Sequence, residues 1–218
     1  MKIARNLQHL EQNAKWAIRR SCRLLPTTRL IANSFEMEER MTFAAINLLN
    51  SWANFQRAYF ICCLLGTKSA TRSRIISNQT GIITTSNDAV GKAITHFTPT
   101  RTPRSNGVWD TRDEPTWHDS NTLLKLSIAY AFSNSSDIQT AFTFGFTAHK
   151  NLVVFRNYYA HKNRGTRSKA QILANQYLIP QRLHPTAILL GTPSTSPSMN
   201  LIELWTEELC QTVELLCG

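Results

Sequence analysis

Residues 34–65 read SFEMEERMTFAAINLLNSWANFQRAYFICCLL, with three acids near the start and none afterwards. Ser34 suits an N-cap, Glu36, Glu38 and Glu39 set carboxylates against the positive end of a helix dipole, and Gly66 supplies the exit. About 31 residues at 1.5 Å each predict a helix of roughly 46 Å, the length of one strut of a helical bundle. Its most apolar run, residues 58–65 (AYFICCLL), is far shorter than the about 20 residues a bilayer span requires. The expected fold class is therefore all-α, with no membrane partner.

Helical patterning extends to both sides. Upstream, Leu7, Leu10, Ala14, Ala17, Ile18, Cys22 and Leu25 recur at three- and four-residue intervals until Pro26 stops them, which predicts an amphipathic helix over residues 6–25. Lys2 and Arg5 are followed by mixed residues rather than the unbroken apolar stretch of a secretory signal, so a cytoplasmic location is expected. Downstream, residues 67–116 turn to Ser, Thr, Asn, Arg and Pro. This reads as an irregular insertion, with Ile75-Ile76 and Ile82-Ile83 flanking a turn at Ser77 to Gly81 as a possible hairpin. Periodicity resumes at Asp119, a suitable N-cap for Leu123, Leu124, Leu126, Ile128, Ala129 and Phe132, and fades at Asn134, Ser135 and Ser136. Residues 151 to about 178 read as one helix followed, after Asn163 to Thr166, by another beginning near Ser168. Asn200 and Glu203 make a capping box ahead of the period-3.6 stripe Ile202, Trp205, Leu209, Val213 and Leu216. The reading is one domain over residues 1–218, a bundle of about five helical segments with an insertion at about 67–116.

The 218 residues hold 24 Lys and Arg against 14 Asp and Glu, a formal charge of +10, which points to an anionic partner such as nucleic acid. Hydrophobic residues make up 42% and charged ones 17%, which excludes a disordered chain. Five cysteines without a C-x-x-C pair suggest neither a zinc site nor a disulfide framework, and are expected to be reduced and mostly buried. P-loop, dinucleotide, nucleophile-elbow and zincin signatures are all missing, so those enzyme classes lapse. The positive charge is concentrated. Residues 138–202 contain no acid but carry Lys150, Arg156, Lys162, Arg164, Arg167, Lys169 and Arg182, and residues 40–87 repeat the pattern with Arg57, Lys68, Arg72 and Arg74. The competing reading is that Glu203, Glu207, Glu208 and Glu214 of the last helix pack against these bases and cancel them.

Inside the longer acid-free stretch lies Phe155-Arg156-Asn157-Tyr158-Tyr159-Ala160-His161. Cleavage of RNA by its own 2′-hydroxyl needs a group that moves protons near neutral pH, and imidazole titrates there, so His161 is the candidate acid/base. Charge developing on a phosphorane-like transition state calls for a permanent planar cation, the role open to Arg156. Asn157 is placed to orient the phosphate or bond the helix, and Lys162, Arg164, Arg167 and Lys169 to hold the flanking backbone. Tyr158 and Tyr159 read either as stacking platforms for bases, with Tyr159 the RNA-binding candidate, or as core. Without catalysis, Arg156 would be a surface ion-pair partner and His161 a helix C-terminal cation. No metal or cofactor is expected. His118 and His149 are weaker acid/base candidates, and His9, His96 and His184 have no context.

These residues resemble the R-x4-6-H motif, with a polar residue after the Arg, of the HEPN superfamily, many of whose members are metal-independent ribonucleases. The resemblance implies an all-α bundle of four or five helices that forms a homodimer, two copies of the motif meeting in one cleft. It also implies a toxin or antiphage-defence effector restrained by an antitoxin or sensor partner protein. Five positions on a helix are about 140° of rotation apart, so Arg156 and His161 do not share one narrow face, and a second copy would reconcile them. The alternatives are a non-catalytic module that binds RNA or a protein through its basic face, or an adaptor that offers the stripe Ile202, Trp205 and Leu209 to a partner helix.

Overall fold

The computed structural model describes residues 6–23, 34–180 and 183–218. The expected stop of the first helix at Leu25 and Pro26, together with Lys2, Arg5 and Arg182, lies outside them. Among the described residues there are nine α-helices: α1 (Leu7–Ser21), α2 (Ser34–Leu65), α3 (Ser86–Phe97), α4 (Ser120–Ala129), α5 (Ser135–Thr143), α6 (Ala148–His161), α7 (Arg164–Ala174), α8 (Pro185–Leu190) and α9 (Leu201–Cys217). The strands β1 (Thr67–Lys68) and β2 (Arg74–Ile75) pair antiparallel, Thr67 opposite Ile75. The chain is mainly helical, and no described helix is long and apolar enough to cross a membrane.

Helix α2 has the predicted bounds, and its 32 residues extend about 48 Å. Arg40 bonds Glu36 one turn back at 2.7 Å, and Gly66 leaves the helix at φ +89°, a left-handed value that a side chain would strain. Contacts divide the chain into two compact units, one of residues 6–14, 53–145 and 212–218, the other of residues 15–23, 34–52, 146–180 and 183–211.

In the first unit, Phe60 of α2 is the centre of an aromatic cluster, with ring centroids of Trp117, Phe132 and Tyr130 at 5.5, 6.0 and 6.1 Å. The region expected to be irregular has a helix of its own. Thr85 caps α3 by accepting from the Asp88 N–H, and α3 buries Ala89, Val90, Ala93 and Ile94. The end of the region beyond α3 is held on α2 by Arg57, which makes a two-pronged bond to Glu114 at 2.5 and 2.9 Å, while Trp117 donates its indole N–H to the same carboxylate at 2.7 Å. The expected hairpin of Ile75-Ile76 with Ile82-Ile83 does not form. The turn at Ser77 to Gly81 is present, but Ile83 makes only an isolated bridge to Thr80, and β2 pairs backward with β1. Ala70, in the turn between the strands, donates its N–H to the Cys217 carbonyl at 2.7 Å. Helices α3, α5 and α8 raise the count above the expected five.

In the second unit, Trp205 of α9 is the hub. It is fully buried, packs edge-on against Phe155 of α6 at 5.5 Å and Tyr177 at 5.7 Å, and donates its indole N–H to the Tyr177 hydroxyl at 2.9 Å. The predicted capping box forms, Asn200 N–H to Glu203 and Glu203 N–H to Asn200, both at 2.9 Å. Ile202, Trp205 and Leu209 are fully buried, so this part of the stripe is core and cannot be the adaptor surface.

Candidate functional site

The site is built on α6, which begins at Ala148, three residues before the expected start. Thr147 contributes no side-chain cap. Glu208 of α9 takes its place, accepting the N–H groups of Thr147 and Ala148 at 3.1 and 3.0 Å, so a negative charge meets the positive end of the helix. Burial raises the Glu208 carboxyl above the ordinary range, opposed by those two N–H bonds. Tyr177 adds a second anchor: its hydroxyl accepts the Asn151 amide at 2.7 Å and meets Thr147 Oγ1 at 3.1 Å.

The last two turns of α6 separate sharply into two faces. Phe155, Tyr158 and Tyr159 are buried, whereas Arg156, Ala160 and His161 are exposed and Asn157 is half-buried. At about 100° per residue, Arg156, Ala160, Asn157 and His161 fall in that order across an arc of about 140°. Arg156 lies at one edge, and its guanidinium donates to Asn157 Oδ1 at 3.1 Å, toward the His161 edge. Between them stands only the methyl of Ala160. The motif thus occupies one solvent-facing strip, with Arg156 and His161 at its two margins.

Tyr159 is a correction to the expectation of a base-stacking residue. It is 5% exposed and its hydroxyl meets Thr186 at 3.2 Å, with burial raising its pKa, so it belongs to the core. Tyr158 is equally buried, and its hydroxyl bonds His184 Nε2 at 2.8 Å. Burial raises the Tyr158 pKa, and the Glu38 carboxylate adds to the rise while Arg167 and Lys162 oppose it. A polar cluster of Glu38, Tyr158, Lys162, Arg167 and His184 therefore borders the motif. His184 had no context in the sequence. It is the N-cap of α8, its ring accepting the Thr186 N–H, and the signal available was a His directly before Pro185 at the first helical position.

Lys162 ends α6 in the left-handed conformation at φ 43°, and Asn163 caps α7 by accepting the Thr166 N–H, so the two helices join through a two-residue turn. Helix α7 begins at Arg164, earlier than the expected Ser168, and its first turn carries no acid. Arg164, Arg167 and Lys169 are exposed. Lys162 pairs with Glu38 at 3.1 Å, so its charge is partly compensated. The acids of α9 act elsewhere: Glu203 closes the capping box, Glu207 pairs with Arg19 at 3.2 Å, and Glu208 caps the far end of α6, about 21 Å of helix from His161. His149 is buried with its ring 5.8 Å from that of Trp52, a core position rather than that of a surface acid/base. Of the cysteines, only Cys22 is not buried, and desolvation pushes its thiol up to about 11.

No protein-family model, curated protein or solved structure matches the chain.

Proposed function

We propose that the chain is a metal-independent endoribonuclease of the HEPN type, with His161 and Arg156 as catalytic residues and Asn157 positioning Arg156. The observation that carries the reading is the segregation of α6: Arg156, Asn157 and His161 share its solvent strip, while the tyrosines between them are withdrawn into the core. The exposed Arg164, Arg167 and Lys169 of α7, a helix whose first turn carries no acid, follow that strip directly.

The chemistry balances within RNA itself. His161 takes the proton of a ribose 2′-hydroxyl, the oxygen attacks the adjacent phosphorus, the bond to the 5′-oxygen breaks, and that oxygen leaves with a proton returned by a protonated His161. The products are a 2′,3′-cyclic phosphate and a 5′-hydroxyl end. The Arg156 guanidinium holds the phosphoryl oxygens as charge grows on them. Because one chain sets the imidazole and guanidinium at opposite margins of the strip, a second copy across a twofold axis supplies the facing partner of each. Release of such an activity in a cell calls for a restraining partner, and an antitoxin or sensor protein fills that role.

Incubation of the purified protein with bulk RNA in EDTA tests this. The expected result is new fragments with cyclic phosphate ends, reduced by about 10²- to 10⁴-fold in His161→Ala and in Arg156→Ala, with unchanged circular dichroism. Full cleavage by both variants would overturn the assignment. RNA retention without new ends would favour the non-catalytic binding module instead.

A further inference from the structure

We propose that a groove between α1 and α2 in the second unit is a subsite for an unpaired nucleobase of single-stranded RNA. The inference rests on the ribonuclease reading only in its choice of RNA as the ligand. Trp16 and Arg20 lie one turn apart on α1, with Arg23 in the turn just past its end, and along α2 Phe43, Asn47 and Ser51 lie on successive turns of one face. Trp16, Arg20, Phe43, Asn47 and Ser51 line one cavity of about 300 Å³, at the lower end of the range for small-molecule sites. The helices are tied beside it by Ser21 Oγ and Ser51 Oγ at 3.4 Å.

The two aromatic residues are what require explanation. Trp16 is 52% exposed and Phe43 56%, whereas Trp52 and Trp205 are fully buried, so neither ring serves the core. Single exposed aromatics are ordinary, but two lining the same concavity beside guanidinium groups are a stacking platform. The Arg20 guanidinium lies 5.0 Å from the centre of the Trp16 ring and that of Arg23 6.0 Å, close enough for cation–π attraction that fixes both charges at the rim. No carboxylate lines the cavity. The Asn47 amide N–H₂ donates one hydrogen back to the Phe43 carbonyl at 2.9 Å, which leaves its second N–H and its Oδ1 acceptor for a base edge. Flat apolar faces, an amide edge and two cations match the face, the N3–H and carbonyl edge and the flanking phosphates of an unpaired uridine. A lipid surface would use the rings and charges but not the concave shape or the amide.

Binding of a 2′-O-methyl oligouridylate, whose blocked nucleophile prevents cleavage, tests the site against an abasic oligomer of equal length, duplex RNA and anionic phosphatidylglycerol vesicles. The expected result is quenching of a fluorescence component that Trp16→Phe lacks, with affinity 5- to 150-fold lower, roughly, in Trp16→Ala and in Phe43→Ala. Trp16→Phe should keep most of the affinity, since it retains a stacking ring. The abasic oligomer should bind the native protein only as tightly as the oligouridylate binds Trp16→Ala. Equal affinity for the oligouridylate and abasic oligomers, unaltered affinity in both alanine variants, or quenching by vesicles alone would each overturn the proposal. The native chain separates the two readings: base-dependent binding of the oligouridylate with no new ends from bulk RNA sinks the ribonuclease reading alone, and cleavage of bulk RNA without base-dependent binding sinks this one alone.

Discussion

Glu208 shows how one side chain outside the motif fixes where the motif lies. Its carboxylate holds the first N–H groups of α6, and α6 ends at His161, so movement at one end is transmitted through the rigid helix to the other. Burial makes that charge costly and raises the carboxyl above the ordinary range, with the two N–H bonds opposing. The folded state thus holds the proton more readily than the unfolded state, and stability falls as pH rises from the ordinary Glu range, about 4.3, through the folded pKa. Glu208→Gln keeps an oxygen acceptor and removes the charge. Its urea midpoint, compared with the native one, should shift in its favour between pH 4.5 and pH 7.5, while Glu208→Ala should lose about 1 kcal/mol by leaving the helix uncapped. Parallel midpoints for the native chain and Glu208→Gln across that interval would show that the carboxyl is not raised. The burial of Tyr159 is instructive in the same way: it stands two positions from His161, yet its hydroxyl is spent on Thr186.

Helix α3 marks the limit of what its local sequence discloses. A Cβ added at Gly91 would fall inside the indole of Trp109, so this mid-helix glycine, unfavourable for helix propensity by about 1 kcal/mol, is retained for close packing. Gly91→Ala should cost about 1–3 kcal/mol through overpacking, and most of that cost should be absent when Trp109→Ala is already present, a coupling that a double-mutant cycle of unfolding free energies reads directly. Additive costs would mean that the two residues do not meet. The partner that justifies Gly91 lies 18 positions away in a loop, so nothing within the helix announces it. By contrast the bounds of α2 were legible, because its first-turn Glu36 and terminal Gly66 are local, and so was the Asn200 and Glu203 box, whose members are three residues apart. The hairpin was misplaced because β2 pairs back with β1 through a turn closed by the Ser69 N–H on the Ser73 carbonyl, in which Arg72 takes a left-handed φ of 69° that no glycine announces. At the site, the residues of the exposed strip could be read from the apolar positions around them. The bond between Tyr158 and His184, and the pairing of Lys162 with Glu38, join separate elements and could not.

Across the whole molecule, the excess of +10 matters less than where it is left uncompensated. Several bases are engaged with acids: Arg57 with Glu114, Arg101 with Asp113, Arg104 with Asp110, Arg19 with Glu207 and Lys162 with Glu38. Arg164, Arg167 and Lys169 are exposed on a helix whose first turn has no acid, immediately after the motif. If RNA is held there, each phosphate neutralised releases counterions, and the slope of log affinity against log salt for a single strand is about −0.7 per contact. The triple variant Arg164→Ala, Arg167→Ala, Lys169→Ala should therefore flatten the slope by about 2, whereas Arg101→Ala and Arg104→Ala, whose charges already face Asp113 and Asp110, should leave it nearly unchanged. Salt titrations of 2′-O-methyl oligouridylate binding measure both. Because the substitutions lie on exposed side chains, the thermal midpoint should stay within a few degrees of the native one. A slope that the triple variant leaves intact would move the phosphate track away from α7, and with it the argument that the positive field was arranged around Arg156 and His161.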